Sequence, residues 1–231
     1  FVSSEIGDLR VLGWDEGQLQ VKFEVSIAAR NERSAKDFTD DIQLKLFSND
    51  NGVYLKTHFP SLKDPKRRVV LSRVTVKVPM NNKLTCENAF GTISVLGVEG
   101  GLRLNSSYCD VTLDEIYGDI EAANKMNPIR ITNSTGNINV KNSLAAIIIE
   151  ECEADLDIEN SYSTVELRDC EGTATIRNSG QVVVRDHIGE VNIENSNGTI
   201  QVVELNGDLR ALNAYKPLFV QEVDGSVDLT N

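Results

Sequence analysis

A chain of 231 residues with 40% hydrophobic and 25% charged residues has the composition of an ordinary folded protein, and nothing in it signals disorder. With 35 acidic and 23 basic residues the formal net charge is -12, which repels phosphate backbones and anionic lipid and argues against nucleic acid or membrane surfaces as partners. No run approaches the ~18 apolar residues that cross a bilayer, so direct membrane insertion is not expected. The opening Phe1-Val2-Ser3-Ser4 lacks the pattern of a signal peptide.

Residues 1 to 79 read as an irregular, partly antiparallel β region. Leu9-Arg10-Val11 resembles a repeat strand, whereas Leu19 to Ile27 alternates apolar and polar residues over a longer run, as a full antiparallel strand does. Ser34 to Asp41 is compatible with a short helix with Ser34 as its N-cap. Strands are expected over Ile42 to Phe47, Val53 to Phe59 and Val69 to Val78, with Asn49-Asp50-Asn51-Gly52 as a hairpin turn. The one basic cluster, Lys63, Lys66, Arg67 and Arg68, surrounds Asp64-Pro65 and reads as a solvated loop.

Residues 80 to 231 are repetitive. From Leu84/Cys86 to Val227/Leu229 an apolar-x-apolar pair recurs 17 times at nine-residue spacing, with one eight-residue step between Ala174 and Val182, and all 34 positions are apolar. Alternate half-repeats differ in their turns. After the odd pairs stand Asn88, Ser106, Asn124, Asn142, Asn160, Asn178, Asn195, Asn213 and Asn231. After the even pairs stand Gly100, Gly118, Gly136, Ala154, Gly172, Gly189, Gly207 and Gly225. Asn tolerates left-handed backbone and bonds nearby peptide groups, and Gly enters positive φ freely, so each marks a tight corner.

Two strands and two corners in about 18 residues define a coil of an all-β, parallel β-solenoid, each strand pairing with its counterpart one coil away. About eight coils at ~4.8 Å would give a rod of roughly 38 Å, with the corner Asn amides stacked and bonding along the axis. A left-handed hexapeptide helix would need a six-residue period, and a calcium-binding β-roll would need Gly-Gly-x-Gly-x-Asp turns; neither is present. The 1–79 region is the expected cap for one open end, within one continuous core. The chain stops inside the repeat, which leaves the last coil bare or covered by a partner.

Phase places the reactive residues. Cys86 falls inward, Cys152 and Cys170 occupy equivalent turn positions one coil apart, and Cys109 lies in a turn as the expected exposed thiol. The 152/170 pair is within reach of a disulfide but reads more simply as two buried thiols. His58 and His187, far apart, offer little to a zinc site or a histidine-based hydrolase.

One corner column carries charge: Gly97, Glu115, Asn133, Glu151, Asp169, Asp186, Glu204 and Glu222. Its last five carboxylates would repel at coil spacing, and the simpler reading is that Arg168 and Arg185 compensate them while the long Glu side chains splay into solvent, the alternative being a cation such as calcium. On a flat face Glu121 and Asp157 stand two coils apart across Asn139, a separation an inverting glycosidase could use, although scattered surface charge accounts for it better. Ile148, Val183 and Phe219 hold outward positions and would form a partner-binding strip or lie under the N-terminal cap, the cap being the favoured reading.

Gly7-Asp8-Leu9-Arg10-Val11-Leu12-Gly13 and the long strand that follows, the entry strand Val74-Thr75-Val76-Lys77-Val78-Pro79, and tandem units such as Glu194-Asn195-Ser196-Asn197-Gly198-Thr199-Ile200-Gln201-Val202 together resemble the bacterial "putative adhesin" β-strand-repeat family of unknown function. The resemblance implies a right-handed β-solenoid located outside the cytoplasm, secreted, periplasmic or on the cell surface, and brings no catalytic signature or functional residue. The expectation is a non-catalytic, adhesin-like module, without a required cofactor, that contacts a protein or glycan surface. The alternatives are a structural or regulatory envelope component acting through docking or self-assembly on its last coil and, more distantly, a carbohydrate-active enzyme.

Overall fold

The computed structural model describes residues 1–49, 52–60 and 68–231. The Asp50-Asn51 turn centre and the basic segment Lys63 to Arg67 lie outside the described residues. The described chain is almost entirely β, with one helix and parallel coils of about 18 residues stacked into a β-solenoid.

β1 (Val2–Ile6) and β2 (Asp8–Trp14) are followed by β3 (Gln20–Ala28), α1 (Glu32–Asp40), β4 (Gln43–Asn49), β5 (Gly52–His58) and β6 (Arg68–Pro79). β7 (Leu84–Val98) and β8 (Leu102–Ile116) then run unbroken through an Asn-side corner, and the strands from Ile120–Ala123 to Val227–Thr230 complete the stack. The helix begins earlier than expected. Its N-cap is Asn31, whose side chain accepts from the Ser34 backbone N–H at 2.9 Å, so Ser34 is inside the first turn rather than at its head.

The nine-residue period dictates register. Ile138 lies opposite Ile120 and Leu156, and Ile147 opposite Ile129 and Val165, so inward positions stack on inward positions throughout. Thirty of the 34 pair positions are buried. The exceptions are Leu218, Val220, Val227 and Leu229, in the last coil, which has a neighbouring coil on one side only. In-register Val, Ile and Leu side chains nest along the axis, so the core is one continuous column.

The N-terminal segment contributes coils as well as a cap. β1 and β2 pair in parallel with β7, Val2 opposite Cys86 and Leu9 opposite Ile93. β5 and β6 then stack on the other side of β1 and β2, Leu55 over Val2 and Val74 over Leu9. The stack ends where the pairing turns antiparallel, β3 against β6 and β4 against β5. Antiparallel partners occupy the hydrogen-bonding edge that a further coil would otherwise extend.

This geometry corrects one expectation. The cap sits beyond β5 and β6, far from Ile148, Val183 and Phe219. Val183 is instead buried in register between Glu166 and Gln201, Ile148 is half-buried, and Phe219 is exposed.

Candidate functional site

The Asn corner is held from inside. Asn88, Asn124, Asn142, Asn160, Asn178, Asn195 and Asn213 are all buried. Their amides do not form the expected chain of amide-to-amide bonds. The Asn124 Nδ2 donates to its own turn at Asn127 O (2.7 Å) and to the preceding coil at Cys109 O (2.8 Å). Asn178 does the same with Gln181 O (2.9 Å) and Ser163 O (3.0 Å), and Asn213 with Lys216 O and Gly198 O. Parallel stacking leaves turn carbonyls pointing inward with no strand partner, and a short primary amide can reach two of them at once. Amide-to-amide bonding survives at Asn195 to Asn213 (3.2 Å), and Ser106 donates to Asn124 Oδ1 (2.9 Å).

Two residues beyond each of these buried positions the same corner carries an exposed apolar ladder that the sequence reading missed. Phe90, Tyr108, Met126, Leu144 and Tyr162 follow at 18-residue intervals and are 51, 45, 39, 51 and 76% exposed. The Phe90 and Tyr108 rings stack in parallel, 4.9 Å between centroids and 6° between planes, which is the coil spacing itself. Leu144 and Tyr162 hold positive φ, 71° and 65°, a costly backbone for an apolar residue. Gly180 and Asn197 interrupt the column before Tyr215. Its signal, an 18-residue period of large apolar residues beside the Asn, was present in the sequence but lay outside the inward pairs.

Cys109, in the same turn, is fully buried rather than exposed. β8 continues through this corner without a break, so strand alternation turns the side chain inward toward Asn88 O (3.5 Å). Burial pushes its thiol up to about 11 and that of Cys86 up to about 12.

The opposite corner is an open acidic groove of about 770 Å³. One rim is the predicted column Glu151, Asp169, Asp186, Glu204 and Glu222; the other includes Glu153, Glu171, Ile188 and Asn206. Cys152, Cys170, His187 and Leu205 form the floor. Every residue of the column from Gly97 to Glu222 has positive φ, between 49° and 70°, because the chain turns through a left-handed residue once per coil. Beyond it stands the glycine column, where a Cβ on Gly172 would come within 2.2 Å of Ala154 O in the coil before.

Arg168 compensates the column only through a minor attraction to Asp169. An outward residue on a flat strand meets its in-register neighbour, and Arg168 pairs with Glu150 (3.5 Å) and Glu166. The carboxylates therefore crowd one another: Glu204 is raised by its hydrogen bond and repulsion with Asp186 and then by Glu222. Among the described residues no three acidic, imidazole or thiol groups converge enough to hold a metal ion.

Glu121 and Asp157 flank Asn139 in register, as expected. Each is engaged, Glu121 with Arg103 (3.2 Å) and Asp157 with Arg177 (2.8 Å). They lie on a flat exposed face, where the shallow depression beside Asn139 is lined by Asp157 but does not reach Glu121.

The class these features define is a capped parallel β-solenoid with an apolar ladder at one corner and an acidic groove at the other. Among solved structures, a "putative adhesin" from Bacteroides fragilis is similar over 99% of this chain and 90% of its own, at 14% identity and a TM-score of 0.38. A "putative cell adhesion protein" from Clostridium sporogenes is similar over 87% of this chain and 89% of its own, at 13% identity and a TM-score of 0.28. No protein-family model and no curated protein sequence matches the chain.

Proposed function

We propose that the protein is a non-catalytic, adhesin-like binding module that works outside the cytoplasm and contacts a partner protein through the ladder at its Asn corner. The placement follows the family resemblance; no described helix is long and apolar enough to cross a membrane. The supporting observation is the run of five exposed apolar side chains from Phe90 to Tyr162, about 19 Å long, on a chain whose net charge is otherwise strongly negative. Contiguous exposed apolar surface of this kind is what binding faces are made of, and Phe, Tyr and Met are enriched in them.

The ring geometry favours protein over glycan. Phe90 and Tyr108 spend their faces on each other and turn their edges outward, whereas a sugar needs an open aromatic face. The test is binding of the purified protein to a panel of extracellular proteins and, in parallel, to a glycan array. Saturable binding to a protein that is lost in Tyr108→Ser/Leu144→Ser, with the variant still folded, is the expected result. Binding confined to glycans, or self-association that the ladder substitutions leave unchanged, would contradict it.

A further inference from the structure

The floor of the acidic groove departs from the apolar column to which it belongs. At the equivalent inward turn position other coils carry Val98, Ile116 and Leu205, but four successive coils carry Ser134, Cys152, Cys170 and His187, all buried. Glu153 pairs with Glu171 and Glu150 with Arg168, so Cys152 and Cys170 are brought into register between them. The Glu171 N–H donates to Cys152 O at 2.8 Å, fixing the two corners together. Both sulfurs are free thiols, and Cys170 Sγ reaches back to Ile149 O in the preceding coil at 3.6 Å.

We propose that Cys152 and Cys170 are a dithiol modification site that small-molecule disulfides oxidise to a bond linking adjacent coils beneath the groove. Register puts their Cα atoms about 4.8 Å apart, inside the range of roughly 4.4–6.8 Å that a disulfide spans. Both line the groove, so a small oxidant meets them after opening of a single corner.

The order of attack follows from their contact. Cys152 Sγ donates to Glu150 O at 3.3 Å and Cys170 Sγ to Arg168 O at 3.1 Å, and the closeness of the two sulfurs lowers the Cys170 thiol and raises that of Cys152, so Cys170 supplies the thiolate. It attacks RSSR, forming a Cys170–S–S–R bond and releasing one RS⁻, which takes up the proton Cys170 lost. Cys152 then loses its proton and attacks the Cys170 sulfur, and the second RS⁻ leaves and is protonated. Two protein thiols are oxidised, one RSSR is reduced to two RSH, and atoms and electrons balance.

The experiment is incubation of the folded protein with oxidised glutathione, followed by unfolding, alkylation and intact mass. Of the 4 cysteines, the reduced protein should alkylate at all four and the oxidised protein at two, with the missing pair recovered as one cross-linked peptide containing Cys152 and Cys170. Cys152→Ser should hold a glutathione adduct on Cys170 instead of closing the bond. Serine is already accommodated in this column at Ser134, and Cys170→Val, which introduces the side chain that Val98 already places there, is a second variant, expected to keep three free thiols. The oxidised wild type should also melt higher than the reduced form. Four alkylated thiols after oxidation, or a bond that includes Cys86 or Cys109, would overturn the proposal.

Discussion

Glu115, Glu151, Glu204 and Glu222 hold φ between 54° and 57°, where Cβ crowds the neighbouring carbonyl and only Gly, Asn and Asp sit with ease. Asn133 occupies the same position in its coil at φ 49°. Glu204→Asn therefore removes both an uncomfortable backbone and a charge crowded by Asp186 and Glu222, and should melt a few degrees higher than wild type. A lower melting temperature would mean that the carboxylate has a stabilising partner. His187 acts in the opposite sense. It is buried with Nε2 on Gly172 O (2.9 Å), its Nδ1 has no protein partner among the described residues, and its in-register neighbours are Cys170 and Leu205. Burial lowers its pKa, so the fold holds the neutral ring. The unfolded chain binds the extra proton once pH falls below about 6.5, so stability from this residue is present above that value and is lost as pH falls toward the folded pKa. His187→Leu, which copies Leu205, should flatten the fall of melting temperature between about pH 7 and 5. An unchanged slope would show that other groups set it. Asp119 and Asp208, lowered by bonds from Asn137 and Ser226 in the next coil, lose their contribution only in the more acidic carboxylate range.

At the scale of the element, each coil is two short strands joined by two different corners, and the Asn corner is the one closed by a buried amide in nearly every coil. Asn178 closes its own turn and ties it to the coil before with two bonds, so Asn178→Ala should cost about 2 kcal/mol, one for each bond lost, by urea denaturation. A loss below about 0.5 kcal/mol would mean that water replaces the amide. The strands and both corners were legible in the sequence because burial demands an apolar residue at each inward position and a tight turn demands Asn or Gly. The first coil was only partly legible: Leu9-Arg10-Val11 carries the pattern, but nothing local announces that β1 lies between β5 and β7, and β2 between β6 and β7, rather than before them. The left-handed column was hidden because Glu is not a residue that signals positive φ. The exposed ladder was hidden because Phe, Tyr, Met and Leu share size rather than identity, and an exposed position imposes no alternation that would mark it.

On the scale of the whole molecule the two corners carry unlike stripes on the same stack, the apolar ladder from Phe90 to Tyr162 and the acidic groove from Glu151 to Glu222. The ladder is apolar and flanked by small residues such as Ala89, Ser107, Ser143 and Ser161, which leave its side chains proud of the surface. The groove concentrates carboxylates, repels a second copy of this acidic chain, and carries the dithiol in its floor. A stacked core keeps both stripes straight, so substitutions in one should leave the other in place. The most direct measurement titrates wild type, Tyr108→Ser/Leu144→Ser and Glu151→Gln/Asp169→Asn, side by side, against the protein ligand selected from the extracellular panel. The account predicts that the ladder variant loses at least about tenfold in affinity, the equivalent of roughly 1.4 kcal/mol, while the groove variant stays within about twofold. The reverse order would contradict it and move the binding face to the acidic corner.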